Sequence, residues 1–224
     1  MERHFEKELD DLKQSLATMG ALVDDQLEKA CQALFNGDLD IAAWVIEKDA
    51  EVDAFDNRID RDCQRLFALA QPVAMDLRLL MASLNINSQL ERIGDIAVNI
   101  AERVESLEDH LNFLKGTKLP EMAEVARIMV KDSLDSFMYL DADLAQRVLV
   151  SDDVVDSMNR TLFGTLVEEM QGKEDRVEPG AHLLILSRHL ERVADHATNI
   201  AEGVIFIVEA KTVKHHAREL DRGS

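Results

Sequence analysis

Proline, glycine and aromatic residues are scarce in this chain, with 3 Pro, 9 Gly and 4% aromatic among 224 residues. So little punctuation leaves no room for a fold of short strands, which needs turn residues about every ten positions. Cysteine is nearly absent too. Cys31 and Cys63 have no C-x-x-C spacing and are expected as reduced thiols packed in helices. No apolar stretch follows Met1 that could serve as a signal peptide, and the longest strongly apolar run, residues 204–208, is far too short to span a bilayer. Positive charge is also in short supply: 25 Lys and Arg stand against 44 Asp and Glu, a net charge of −19. That balance repels nucleic acid and anionic headgroups and attracts cations. With 46% hydrophobic and 31% charged residues, the composition is that of a soluble, helical, cytosolic protein.

What the chain does have is a copy of itself. Glu91-Arg92-x-x-Asp95-x-x-x-Asn99-Ile100-Ala101-Glu102 returns as Glu191-Arg192-x-x-Asp195-x-x-x-Asn199-Ile200-Ala201-Glu202, a spacing of 100. Upstream, Asp38, Asp40, Ala42, Val45, Asp49, Val52 and Asp53 match Asp141, Asp143, Ala145, Val148, Asp152, Val155 and Asp156 at a spacing of 103. The change of spacing places a three-residue difference in the connection between the two segments, where duplicated domains tolerate it. Because polar residues are copied along with apolar ones, two equivalent surfaces are implied.

Breaks in the pattern divide the chain into six helices, near 3–35, 39–69, 73–113, 120–139, 142–171 and 180–217. Asn36-Gly37-Asp38 closes one helix and caps the next, Asp141 repeats the cap, and all three prolines fall at helix starts. Lys115-Gly116-Thr117-Lys118-Leu119-Pro120 separates the halves. Fold class is therefore all-α: two tandem, duplicated antiparallel three-helix bundles over 1–115 and 119–217.

The acids gather in stripes. At 100° per residue Glu91, Asp95, Asn99 and Glu102 share a face within about 80°, opposite Ile86, Leu90, Ile93, Ala97, Ile100 and Val104, so the carboxylates face outward. Asp49, Asp53, Asp56 and Asp60 form a second stripe on the preceding helix. A hairpin near residue 71 brings Asp49 and Asp53 level with Glu91 and Asp95, and a hairpin near 175 brings Asp152 and Asp156 level with Glu191 and Asp195. Facing carboxylates repel, and Arg92 and Arg192 can cover only the stripe edges. An all-oxygen set at one height suits hard cations such as Mg²⁺, Ca²⁺, Mn²⁺ or oxidised iron. Solvated acidic faces are the competing reading. The copies are unequal: Asp56 and Asp60 become Asn159 and Phe163, so the second half is expected to bind fewer ions or bind them more weakly.

The segments Leu90–Glu102 and Leu186–Glu202 resemble the motif of the PhoU family of bacterial phosphate-uptake regulators, and the resemblance covers nearly the whole chain. It implies a non-enzymatic cytoplasmic protein that represses the phosphate regulon. Its implied partners are the ATPase subunit of the high-affinity phosphate ABC transporter and the phosphate sensor histidine kinase, with membrane association only through them. Self-association as a homodimer is implied as well. The family's metal motifs fall on Asp49, Asp53, Glu91 and Asp95, and on Asp152, Asp156, Glu191 and Asp195. The implied cofactors are multinuclear clusters, iron above all, with Mg, Mn or other divalent cations as alternatives.

Two other classes compete. A ferritin-type carboxylate di-metal oxidase needs inward Glu-x-x-His motifs, and none occurs in the chain. A metal-free helical adaptor is the stronger rival. Catalysis is not expected, since an exposed acid cluster offers neither a pocket nor a nucleophile with its base. Phosphate has no evident cradle, lacking a P-loop or a Gly-rich loop entering a helix. His189 and His196 flank the second motif without fitting an all-oxygen set. His215-His216-x-x-Glu219 is expected in a frayed tail, and Met75, Met81, Met122, Trp44 and Phe55 are expected to fill helix interfaces.

Overall fold

The computed structural model describes the backbone of residues 2–70 and 72–213. Long helices dominate: α1 (Glu2–Asn36), α2 (Leu39–Ala70), α3 (Ala74–Ala101), then the short α4 (Val104–Leu107) and α5 (Leu111–Lys115), followed by α6 (Leu119–Tyr139), α7 (Ala142–Met170) and α8 (Val177–Glu209). No strand occurs among the described residues. Helices α1, α2 and α3 pack on one another, as do α6, α7 and α8, and the two triplets join through α3 against α8 and α1 against α6. Fold class is as the periodicity predicts. One continuous apolar core runs through both triplets, from Leu12, Leu16 and Val23 to Leu190, Val193 and Ile200.

The predicted caps are present. Asp38 Oδ1 accepts from the Ile41 amide at 3.0 Å, and Asp141 Oδ1 from the Leu144 amide at 2.9 Å, each satisfying an N-terminal donor its helix cannot. Pro120 sits in the first turn of α6, where its missing N–H costs nothing. Ahead of each cap the chain turns through the left-handed region, at Gly37 (φ +68°) in the first half and Leu140 (φ +51°) in the second.

Several boundaries differ from expectation. A single helix over 73–113 is replaced by α3, α4, a 3-10 turn over Glu108–His110, and α5. Val104, Leu107 and Leu114 stay buried through the bends, on the same apolar face that Ile93, Ala97 and Ile100 occupy in α3. Helix α8 ends at Glu209, short of 217, and His215, His216 and Glu219 lie outside the described residues. The three-residue difference is taken up by helix: α2 has 32 residues and α7 has 29. Met75 and Met81 are exposed, whereas Met122 is buried as expected. Both cysteines are free and buried, and burial pushes both thiols up to about 12.

Helices α3 and α8 lie antiparallel. Arg78 Nε donates to the Ile207 carbonyl (3.1 Å), Asn85 Nδ2 to the Asn199 carbonyl (3.4 Å), and Asn199 Nδ2 to Gln89 Oε1 (3.2 Å). His196 Nδ1 meets Gln89 Oε1 at 2.8 Å, and an Arg103 guanidinium nitrogen meets His182 Nδ1 at 3.1 Å. Partner numbers fall along α8 as they rise along α3, centring on the Arg92 and Arg192 steps. A duplicated helix thus packs on its own copy about a local two-fold axis. Gly203 faces Ala82 and Ile86 across this contact, where a β-carbon would stand 3.8 Å from each, in ordinary van der Waals contact.

His196 is 7% exposed. Burial, then the Arg192 and Arg92 charges, lowers its imidazole to about 4. A depressed histidine favours the fold while neutral, so stability is complete above the unfolded value near 6.5 and is lost as pH falls from there toward 4. By pH 5 the loss reaches on the order of 2 kcal/mol. His189 is lowered for the same leading reason. Urea midpoints at pH 7 and pH 5 are therefore expected to differ more for the wild type than for His196→Gln. Equal differences would show that His196 is not the source.

Candidate metal centre

The α2–α3 hairpin brings the first pair of stripes together. Burial, followed by the charges of Asp53 and Asp95, raises the Asp49 carboxyl above its ordinary value. Burial, then Asp60 and Asp53, raises Asp56; burial, then Asp95 and Asp56, raises Glu91, with Arg92 opposing. Six carboxylates, those of Asp49, Asp53, Asp56, Asp60, Glu91 and Asp95, thus lie within electrostatic reach of their neighbours at the predicted height. Among the described residues none of the six pairs with a lysine or arginine.

Beneath them lie two buried amides that the periodicity argument missed. Gln26 of α1 is 0% exposed and Asn87 of α3 is 1% exposed. Asn87 Nδ2 donates to Asp56 Oδ1 at 2.7 Å and to Asp60 Oδ1 at 3.2 Å, and it also reaches the Asp56 carbonyl at 3.2 Å. Gln26 Nε2 donates to the Val45 carbonyl at 3.1 Å, and the side chain also bonds Asp49 and so offsets part of the rise at that carboxyl. Gln26 Oε1 and Asn87 Oδ1 are buried with no hydrogen-bond partner. A signal was available: Gln26 interrupts an apolar series of Met19, Val23, Leu27 and Ala30, and Asn87 lies one turn before Glu91 on the same stripe. Gly94 opens the space beside Gln26 and Asp49, where a β-carbon would stand 3.5 Å and 3.6 Å from their side-chain oxygens.

The second stripe is different. Asp152 is 3% exposed, contrary to the expectation that all these acids face outward, while Asp156, Glu191 and Asp195 are half-buried. Glu191 forms an ion pair with Arg188 from the turn below. Asn159 and Phe163 stand where Asp56 and Asp60 would be, and Ser187 stands where Asn87 would be. Ser187 returns its hydroxyl to its own helix, donating to the Leu184 carbonyl. Continuing the offset of 103 into α6 puts Met129 at the position of Gln26.

As a donor set, carboxylates with two spare amide oxygens fit hard cations in chemistry and charge. In distance the arrangement is open: among the described residues no three His, Cys, Asp or Glu side chains converge enough to hold an ion as they stand. The carboxylates would have to turn inward, which half-exposed aspartates on helix faces can do. His196 does not join the acids, since Gln89 engages it across the α3–α8 seam, and His189 lies within reach of the Arg103 and Arg192 charges.

The internal repeat coincides with two matches to the PhoU domain, over residues 16–104 and 119–204. The chain belongs to the PhoU family. A protein of Zymomonas mobilis named phosphate-specific transport system accessory protein PhoU homolog is 35% identical over 217 residues, covering 97% of this chain and 92% of its own. A protein of the same name from Aquifex aeolicus is 38% identical, covering 95% and 97%. The crystal structure of PhoU from Pseudomonas aeruginosa superposes with a TM-score of 0.87 at 34% identity, covering 92% of this chain and all of that one. That of the phosphate transport system regulatory protein PhoU from Streptococcus pneumoniae gives 0.86 at 30% identity, covering 94% and 99%. No described helix of this PhoU-family chain is long and apolar enough to cross a membrane.

Proposed function

We propose that this chain is an accessory regulator of phosphate-specific transport, a non-enzymatic cytoplasmic protein that restrains phosphate uptake and the phosphate regulon. What supports the regulatory part is the PhoU likeness over both repeats. What supports the metal part is the first acid groove, with six carboxylates and no ion pair among the described residues. Asp49, Asp53, Asp56, Glu91 and Asp95 would hold cations in the first repeat, and Asp152, Asp156, Glu191 and Asp195 in the second. Multinuclear iron, or Mg²⁺, Mn²⁺ and similar cations, would supply positive charge that cancels the repulsion between facing stripes. The protein's own part is to hold α2 against α3 and α7 against α8, so that groove shape follows charge state. Docking on the transporter ATPase subunit and the sensor kinase would then depend on the groove, with membrane association through those partners and with the protein acting as a homodimer.

The rival, a metal-free adaptor, is favoured by the open spacing of the acids and by the Arg188–Glu191 pair, which already neutralises part of the second stripe. Metal analysis of protein purified without chelator or affinity tag separates the two, run beside co-purification with the ATPase subunit. The metal reading expects at least one ion per chain, reduced by Glu91→Ala with Asp95→Ala, and weakened ATPase binding by that variant. Less than one ion, unchanged in the variant, supports the adaptor.

A further inference from the structure

The geometry points to a binding site for a small tetrahedral oxyanion on one flank of the α3–α8 seam, held between the repeats by Arg103 of the first and His182, His189 and Arg192 of the second. The site goes beyond the accessory-regulator reading and needs neither the acid groove nor a cation.

The duplication shows what is unusual there. Residues 100 positions apart are mates, so each contact across the seam has a counterpart on the other side of the local two-fold axis. On one flank His196 meets Gln89, and Gly203 faces Ala82. On the other flank the mates of those four residues are Ile96 and His189, then Arg103 and His182. A histidine answered by an amide on the first flank is replaced on the second by a histidine opposite isoleucine. A small apolar contact is replaced by a basic one. In a chain of net charge −19, bases gather where the symmetry supplies no reason for them.

Arg103 lies in the turn between α3 and α4, and its Nη1 meets His182 Nδ1 at 3.1 Å. A guanidinium can only donate, so His182 accepts on Nδ1 and carries its proton on Nε2. The Nε–Nη2 edge of Arg103 is left over, and such an edge meets two oxygens of an anion in parallel. Its Nε is buried with no partner, and so is His189 Nδ1. The tautomer of His189 with its proton on Nδ1 makes that nitrogen a further donor. Arg103 and Arg192 are the charges that bear on the His189 ring, and neither enters an ion pair among the described residues.

Buried donors without acceptors are costly, and a native structure keeps them where something else satisfies them. Water would answer the two nitrogens and leave the guanidinium charges uncompensated. An oxyanion answers both: two oxygens for the Arg103 edge, and others for His189 and Arg192. Repulsion from the acidic surface is screened over about 8 Å at physiological salt, so the nearest bases decide the local field. Arg103 and His189 are half-buried and Arg192 is exposed, which sets the site at the edge of the seam, where a modest side-chain displacement admits a small ion. Once bound, the ion fastens the α3–α4 turn to α8 and so one repeat to the other.

The test is calorimetric titration of chelator-treated full-length protein with inorganic phosphate, sulfate and glycerol phosphate in turn, at neutral pH and fixed ionic strength. The wild type is expected to bind one phosphate per chain and to melt at a higher temperature with phosphate present. Arg103→Lys keeps the charge and loses the fork, and is expected to weaken phosphate by about tenfold or more and to lose the melting shift. Arg192→Gln, at an exposed position, is expected to weaken it too and keeps the inference testable should Arg103→Lys fold poorly. Asp49→Asn with Asp53→Asn is expected to bind as the wild type does. No binding by the wild type, or wild-type binding by both arginine variants, would overturn the site. Loss of binding in the Asp49/Asp53 variant would overturn it as well, by placing the anion in the acid groove. Tighter binding of glycerol phosphate than of phosphate and sulfate would overturn the free ion as the ligand. None of these results bears on the accessory-regulator reading, which co-purification with the ATPase subunit tests.

Discussion

In metal-free protein at neutral pH, changing Asp49 and Asp56 to Asn and Glu91 to Gln is expected to raise the melting temperature. Saturating divalent cation is expected to raise that of the wild type and leave the variant nearly unmoved. The reason is the sign of the electrostatics. All three carboxyls are raised, first by burial and then by neighbouring acids, so the fold disfavours their charged forms. For a raised acid the penalty is complete above the folded-state pKa and vanishes below the unfolded one. The variant's advantage should therefore shrink as pH falls from neutral toward the ordinary carboxylate range near 4. Comparing the variant with the wild type at each pH cancels the opposing loss from His196. Cation at a thousand times its dissociation constant stabilises by about 4 kcal/mol, or about 10 °C in a protein of this size. A variant less stable than the metal-free wild type would mean that the acids are held by favourable contacts and that the groove is not strained.

Replacing Ile86 by Ala should lower stability by about 3 kcal/mol, within the usual range for emptying a packed aliphatic site, and should do so for the whole protein at once. Ile86 is fully buried on α3, yet its neighbours include Gly203 of α8, so its cavity opens on the seam between the bundles. The apolar core is continuous across that seam, which argues for a single cooperative transition. Trp44 is the only tryptophan and lies in the first bundle, so its fluorescence in urea reports that half while far-ultraviolet dichroism reports both. Both midpoints should fall together in Ile86→Ala. A fluorescence shift that leaves half the helical signal unmoved would show two independent bundles.

Helix periodicity and the Asp38 and Asp141 caps made the architecture legible, and counting turns from each hairpin put Asp49 level with Asp95. What escaped were features that depend on the third dimension. The bend after Ala101 leaves no mark in the apolar pattern, which continues through Val104, Leu107 and Leu114 on one face. Asp152 and Asp49 share a motif position, but Asp152 lies deeper, since burial depends on what packs above a residue. Gln26 and Asn87 have polar neighbours in the sequence, and only the crossing of α1 and α2 with α3 shows that both are buried and that their amides reach the acids. The α3–α8 seam pairs residues 79 to 129 positions apart, beyond any local pattern.

Gly37 and Leu140 occupy the same bend of the two copies, with the same handedness of backbone. One copy closes the bend by having no side chain to offend; the other accepts a twist that costs an L-residue about 1 kcal/mol and tucks the leucine partly against the core. The two corners are therefore not exchangeable parts. Gly37→Leu would incur that twist and also crowd Leu111, whose Cδ1 stands 3.1 Å from where the new β-carbon would go. Leu140→Gly would relax the backbone and surrender an anchor. Inherited symmetry here governs the path of the chain and leaves each copy to find its own steric solution.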